Sequence, residues 1–100
     1  MKRIAILGST GSIGTQALDV VRAHPDRLKI TVLAANSNDE LLERQIDEFS
    51  PKTAVLSDEA AYARLRARQA FRSTTLLGGR QAFINAGIDD EVDIVLTSMS

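Results

Sequence analysis

Ile4-Ala5-Ile6-Leu7-Gly8-Ser9-Thr10-Gly11-Ser12-Ile13-Gly14 runs from four consecutive apolar residues straight into a glycine-rich turn. Unbroken apolar residues suit a strand buried on both faces. Three of the chain's six glycines then fall within seven residues. Beyond them Ile13, Ala17, Val20 and Val21 recur at helical spacing, so Ser12 to Ala23 reads as an amphipathic helix that Pro25 stops. Strand, tight turn and helix make the opening of a βαβ unit.

The same alternation continues outward. Ile30–Ala35 reads as a second strand. Leu42, Ile46 and Phe49 place a helix over Asp39 to Phe49, ended by Pro51. Ala54–Leu56 is a short strand and Asp58 to Gln69 an Ala- and Arg-rich helix. Leu76–Leu77 is a weaker strand, Gln81 to Ala86 a short helix ended by Gly87, and Ile94–Thr97 a last strand. Strands alternating with helices imply right-handed crossovers and a parallel sheet. The expected fold class is α/β, a Rossmann-like doubly wound parallel sheet, incomplete in this length. Ile94–Leu96, continuously apolar like Ile4–Leu7, is expected to be a buried strand.

Composition narrows the function classes. Hydrophobic residues are 44% and charged residues 25%, which excludes wholesale disorder. Aromatic residues are 4%, so the core is aliphatic. Twelve basic against 13 acidic residues leave a net charge of −1, with no positive field to hold a polyanion. The absence of Cys excludes disulfides and thiolate metal sites and fits a reducing compartment. Lys2 and Arg3 precede an apolar run of only four residues, where a signal peptide needs roughly 7–15. No run approaches the ~20 apolar residues of a membrane helix. The chain reads as cytoplasmic, with no membrane and no nucleic-acid partner.

In a strand–turn–helix context each glycine has a task. Gly8 turns the chain off the strand, Gly11 lets a pyrophosphate approach the backbone, and Gly14 lets the helix pack on the sheet. The helix N-terminus offers free N–H groups and a partial positive charge. The spacing is GxxGxxG, and no Gly-Lys-Ser/Thr follows, so a dinucleotide fits better than a nucleoside triphosphate. Gly11→Val is expected to occupy the phosphate's place and to strain the turn. At the end of the second strand, NAD-preferring folds place a carboxylate on the ribose 2′-hydroxyl. Here Ala35-Asn36-Ser37-Asn38 stands instead, with no carboxylate before Asp39. That absence favours NADP, with Asn36, Ser37 and Asn38 as neutral donors. Ser37 also fits the N-cap of a capping box closed by Glu40.

The string Gly8-Ser9-Thr10-Gly11-Ser12-Ile13-Gly14, with Leu18-Asp19-Val20-Val21, Ala35-Asn36-Ser37-Asn38 and Glu48-Phe49-Ser50-Pro51, closely resembles the start of the 1-deoxy-D-xylulose 5-phosphate reductoisomerase family. The likeness runs in register from Met1 to Leu56 and more loosely beyond. It implies an NADPH-dependent enzyme of non-mevalonate isoprenoid biosynthesis. Such an enzyme converts 1-deoxy-D-xylulose 5-phosphate to 2-C-methyl-D-erythritol 4-phosphate with a divalent metal, Mg or Mn, and is a homodimer at full length. The family's cofactor loop falls on Thr10, Gly11, Ser12 and Ile13, and its second contact segment on Asn36, Ser37 and Asn38. Many relatives have Gly and then a basic residue where this chain has Asn36 and Ser37. Thr97-Ser98-Met99-Ser100 also departs from a small, apolar segment. The resemblance makes residues 1–100 a truncated N-terminal NADPH-binding domain. The catalytic residues, the metal ligands and the flexible lid then lie outside this chain.

Other features carry less. His24 sits at a helix end beside Pro25, where a cap or solvent suits it. Arg64, Arg66, Arg68 and Arg72 alternate with apolar residues, without interleaved aromatics, and read as a solvated helix face. Asp89-Asp90-Glu91 lacks a calcium-loop spacing and reads as a polar loop. Asp19 reads as surface charge. Two further functions share these signals: a semialdehyde dehydrogenase-like NADP oxidoreductase, and a non-catalytic nucleotide-sensing module.

Overall fold

Every apolar run forms a strand and every helical pattern a helix in the computed structural model, which describes residues 1–88 and 91–98. The order is β1 (Lys2–Leu7), α1 (Ser12–Ala23), β2 (Leu28–Ala35), α2 (Asp39–Phe49), β3 (Thr53–Leu56), α3 (Glu59–Arg68), β4 (Thr75–Gly78), α4 (Arg80–Asn85) and β5 (Ile94–Thr97). The five strands form one sheet in the order β4-β3-β2-β1-β5, with every pairing parallel.

The sheet is covered unequally. On one face, Ile4, Ile6 and Leu33 pack against Leu18 of α1, Leu42 of α2 and Leu65 of α3. Each fully buried aliphatic side chain contributes about 1.5–3 kcal/mol relative to exposure. On the other face, Ala5, Val32 and Val55 cluster with Ala86, and Ala82 and Phe83 of α4 pack against them. Helices on both faces make the sheet doubly wound.

Two expectations change. β5 is an edge strand beside β1, and Ile94, Val95 and Leu96 are 38%, 46% and 39% exposed rather than buried. Gly87 does not stop α4, which ends at Asn85 with Ala86 as its cap. Gly87 instead gives β5 room, since a Cβ there would lie 3.2 Å from Val95 Cγ1. Of the acidic run, Asp89 and Asp90 lie outside the described residues, as do Met99 and Ser100. Glu91 pairs with Lys52 at 2.9 Å. Among the described residues, no helix is long and apolar enough to cross a membrane.

Candidate cofactor site

The chain builds outward from β1 through β2, β3 and β4, then returns to place β5 on the other side of β1. That reversal is the switch point at which open α/β sheets bind ligands, beyond the carboxyl ends of the strands. The glycine loop lies there. Gly8 has φ +99°, a conformation that L side chains rarely adopt, and a Cβ on it would lie 2.5 Å from the Ser98 carbonyl oxygen. The Gly8 and Ser9 N–H groups donate to the Ala34 carbonyl at 2.7 and 3.0 Å, which fastens the loop to the end of β2. At Gly14 a Cβ would strike the Gly8 carbonyl oxygen, so this glycine sets the approach of α1 to the loop.

Gly11 differs. It is the N-cap of α1 with φ −78° and ψ 174°, ordinary extended backbone, and α1 has no side-chain cap. A Cβ there would meet Gly8 O at 3.6 Å and Ser98 Oγ at 3.7 Å, both normal contacts. The expected strain at Gly11 is therefore absent. What a side chain would take from this position is space in front of uncapped helix N–H groups.

The loop and strand ends surround a cleft of about 400 Å³. Gly8, Thr10, Gly11, Ser12 and Ile13 form one wall. Asn36 after β2 and Ser57 after β3 form another, and Phe83 of α4 and Ser98 after β5 complete it. None of these lining residues is ionisable. Uncapped N–H groups at a helix start, a bare α-carbon before them and nearby hydroxyls fit a pyrophosphate bridge. A hollow of about 370 Å³ beside Val21, Pro25 and Phe49 lies at the amino ends of the strands, away from the switch point.

Thr10, Gly11, Ser12, Ile13 and Asn36 are thus brought together; Ser37 and Asn38 do not line the cleft. Ser37 is not the helix cap. Asn38 is: its Oδ1 accepts from the Leu41 N–H at 3.2 Å, while Ser37 offers its backbone carbonyl to the Asp39 N–H at 2.9 Å. Asp39, the nearest carboxylate in sequence, is 7% exposed. Its oxygens engage Arg64 at 3.2 Å and Arg68 at 3.0 Å. Burial raises its pKa, but the hydrogen bonds from Arg68 and Arg64 more than offset this and leave it below the usual carboxylate value.

Three residues near the site escape the sequence reading. Ser57 and Phe83 reach the cleft only through the register of β3 and the docking of α4. Gln45 donates from Nε2 to the Ser9 carbonyl at 2.9 Å and holds the loop from behind. Its trace was legible, since it is a polar residue beside Leu42 and Ile46 on the buried stripe of α2.

The remaining polar groups lie elsewhere. His24 caps α1 at the end opposite the loop and is exposed. Arg64 and Arg68 are tied to α2, and Arg66 donates to Tyr62 Oη at 2.7 Å. Asp19 pairs with Arg22, which also pairs with Glu48. Among the described residues, no three His, Cys, Asp or Glu side chains group as a metal site.

The family model of 1-deoxy-D-xylulose 5-phosphate reductoisomerase matches residues 4–100. The chain belongs to the 1-deoxy-D-xylulose 5-phosphate reductoisomerase family. The reductoisomerase of Geobacillus kaustophilus (strain HTA426) is 41% identical over 99 residues, 99% of this chain and 26% of that protein. That of Desulfitobacterium hafniense (strain Y51) is 41% identical over 100 residues, again 26% of its length. The chain thus spans about a quarter of the curated reductoisomerases it matches. Among solved structures, the Zymomonas mobilis reductoisomerase in complex with NADPH aligns with a TM-score of 0.79 and 31% identity, over 86% of this chain and 23% of that one. A DOX-P reductoisomerase in complex with NADPH, fosmidomycin and magnesium aligns at 0.86 and 35% identity, over 95% and 24%.

Proposed function

We propose that this chain is the NADPH-binding portion of an enzyme that converts 1-deoxy-D-xylulose 5-phosphate to 2-C-methyl-D-erythritol 4-phosphate in non-mevalonate isoprenoid biosynthesis. The observation that carries the reading is the uncapped start of α1, opening beneath Gly11 at the switch point of the sheet. Bound NADPH would supply a hydride. In this chain the N–H groups at the start of α1 hold the pyrophosphate, aided by the Thr10 and Ser12 hydroxyls. Gly11 permits the close approach, and Asn36 faces the adenosine end. The cofactor-binding set is Thr10, Gly11, Ser12, Ile13 and Asn36, with Ser37 and Asn38 at its margin. Among the described residues no three His, Cys, Asp or Glu side chains group as a metal site, and the reading assigns the divalent metal to ligands outside this chain. The family match favours this reading over the semialdehyde dehydrogenase-like one. The same reading makes the longer protein a cytoplasmic homodimer.

The test uses the full product of the gene. NADPH binding is followed by nicotinamide fluorescence, and NADPH oxidation is measured with 1-deoxy-D-xylulose 5-phosphate and magnesium or manganese. Substrate-dependent oxidation is expected. NADPH binding without any turnover of this sugar phosphate would reject the substrate, and no nucleotide binding would reject the site.

A further inference from the structure

Beside the glycine loop, Ser57 Oγ donates a hydrogen bond to Asn36 Oδ1 at 2.6 Å. Both residues line the cleft. They stand one residue beyond Ala35 of β2 and Leu56 of β3, which are partners in the parallel ladder. Their backbones are pinned there as well. The Ser57 N–H donates to the Ala35 carbonyl and the Asp58 N–H to the Asn36 carbonyl, both at 2.9 Å.

A carboxamide has one acceptor oxygen and two N–H donors on its nitrogen. With Oδ1 taking the Ser57 hydroxyl, the orientation of the Asn36 amide is set. Its Nδ2 donors make no hydrogen bond among the described residues and are left for a ligand. A phosphate monoester dianion only accepts hydrogen bonds, whereas a ribose hydroxyl both donates and accepts. An amide held nitrogen-outward therefore favours the phosphate, and one turned oxygen-outward would repel it. The position just after β2 is where dinucleotide folds read the 2′ substituent of the adenosine ribose. The first carboxylate after each of the two residues is engaged by this chain's own groups. Asp39 is held by Arg64 and Arg68, and Asp58 Oδ2 accepts from the Ala61 N–H at 2.9 Å.

We propose that Ser57 is a positioning residue that holds the Asn36 carboxamide with its nitrogen toward the cleft, so that the pair selects a 2′-phosphate over a 2′-hydroxyl on a bound adenosine ribose. The inference rests on the reading of the cleft as a dinucleotide site. It goes further by assigning selectivity to a hydroxyl on β3, in a chain with no basic residue at 36–38.

The experiment compares wild type, Ser57→Ala and Ser57→Thr in the full gene product. Dissociation constants are measured for NADPH and NADH, and for adenosine 2′,5′-bisphosphate and 5′-AMP as fragments lacking the nicotinamide. Thermal melting is recorded alongside. In Ser57→Ala the preference for NADPH over NADH is expected to fall about tenfold, the scale of one hydrogen bond to a charged group. The preference for the bisphosphate over AMP falls with it, while NADH and AMP affinities hold. Ser57→Thr keeps the hydroxyl and retains both preferences. If Ser57→Ala leaves both preferences unchanged, or weakens all four ligands alike, Ser57 has only a structural role and the inference is overturned while the dinucleotide site stands. If wild type binds none of the four, the site and the inference fall together.

Discussion

Gly11 and Gly14 lie within one helical turn, yet the protein needs them for different reasons. Gly14→Ala drives a Cβ against the Gly8 carbonyl and to 2.8 Å from Ser9 Cα, both backbone atoms that cannot swing aside. Its cost is expected near the upper end of overpacking, about 3 kcal/mol, read by urea denaturation. Gly11→Val meets only ordinary contacts and keeps an extended backbone that valine adopts readily. It is expected to cost less than about 1 kcal/mol of stability, the scale of a poorer helix cap. Its NADPH affinity, measured by fluorescence titration, should nevertheless drop at least tenfold. A stable Gly11→Val protein with wild-type affinity would remove the pyrophosphate from this loop. Asn36→Asp probes the neighbouring wall. It replaces the outward amide donors with negative charge in a partly solvated cleft. NADPH binding should weaken by about 1–2 kcal/mol while NADH binding changes little. An unchanged ratio of the two affinities would refute the role of Asn36 in cofactor choice.

At the scale of elements, the start of α2 joins stability to the site. Asn38 caps the helix, so Asn38→Ala should cost about 1 kcal/mol and Ser37→Ala almost nothing, compared by chemical denaturation. Equal losses would mean that the cap is shared. Asp39 follows, held between Arg64 and Arg68 of α3. Its pKa is lower folded than unfolded, so its ion pairs stabilise the protein above the unfolded value of about 3.9 and lose their effect as pH falls through the lower folded value. Asp39→Asn should therefore be about 1 kcal/mol less stable at pH 7, with the gap closing below about pH 4. A gap that stays constant into acid would show that charge is not what holds α2 to α3. The order of strands and helices was legible because burial on a sheet imposes apolar runs and burial of a helix face imposes a 3.6-residue repeat. The cap was misplaced for an equally physical reason. Ser37 and Asn38 are both good capping types, and the choice is made by the backbone at Asn38, with φ −82° and ψ 76°. Ser57 and Phe83 left no signal because their role depends on which strands and helices meet. No local pattern records that.

For the whole molecule, what matters is how much of a catalytic site these residues surround. The cleft is lined by the glycine loop, Asn36 and Ser57, and none of its described lining residues can take or give a proton near neutral pH. His24 lies at the far end of α1. No described cluster fits a metal, and the curated reductoisomerases have about four times the length of this chain. Reduction and rearrangement of a sugar phosphate need positioned acids, bases or metal ligands beside the nicotinamide. The outer strand adds a second consequence. β5 leaves Ile94, Val95 and Leu96 more than a third exposed on a sheet edge, an arrangement that favours pairing with another copy. The 100-residue chain alone is therefore expected to fold, to self-associate as concentration rises, and to show no oxidation of NADPH by 1-deoxy-D-xylulose 5-phosphate. Sedimentation velocity over a concentration series reads the association, and the oxidation assay is run beside the full gene product with magnesium or manganese. Polar substitution of Val95, which is 46% exposed, should reduce the association without unfolding the sheet. Turnover by the 100-residue chain alone would overturn this account, because it would place catalytic groups within a chain whose described cleft-lining residues offer no acid or base.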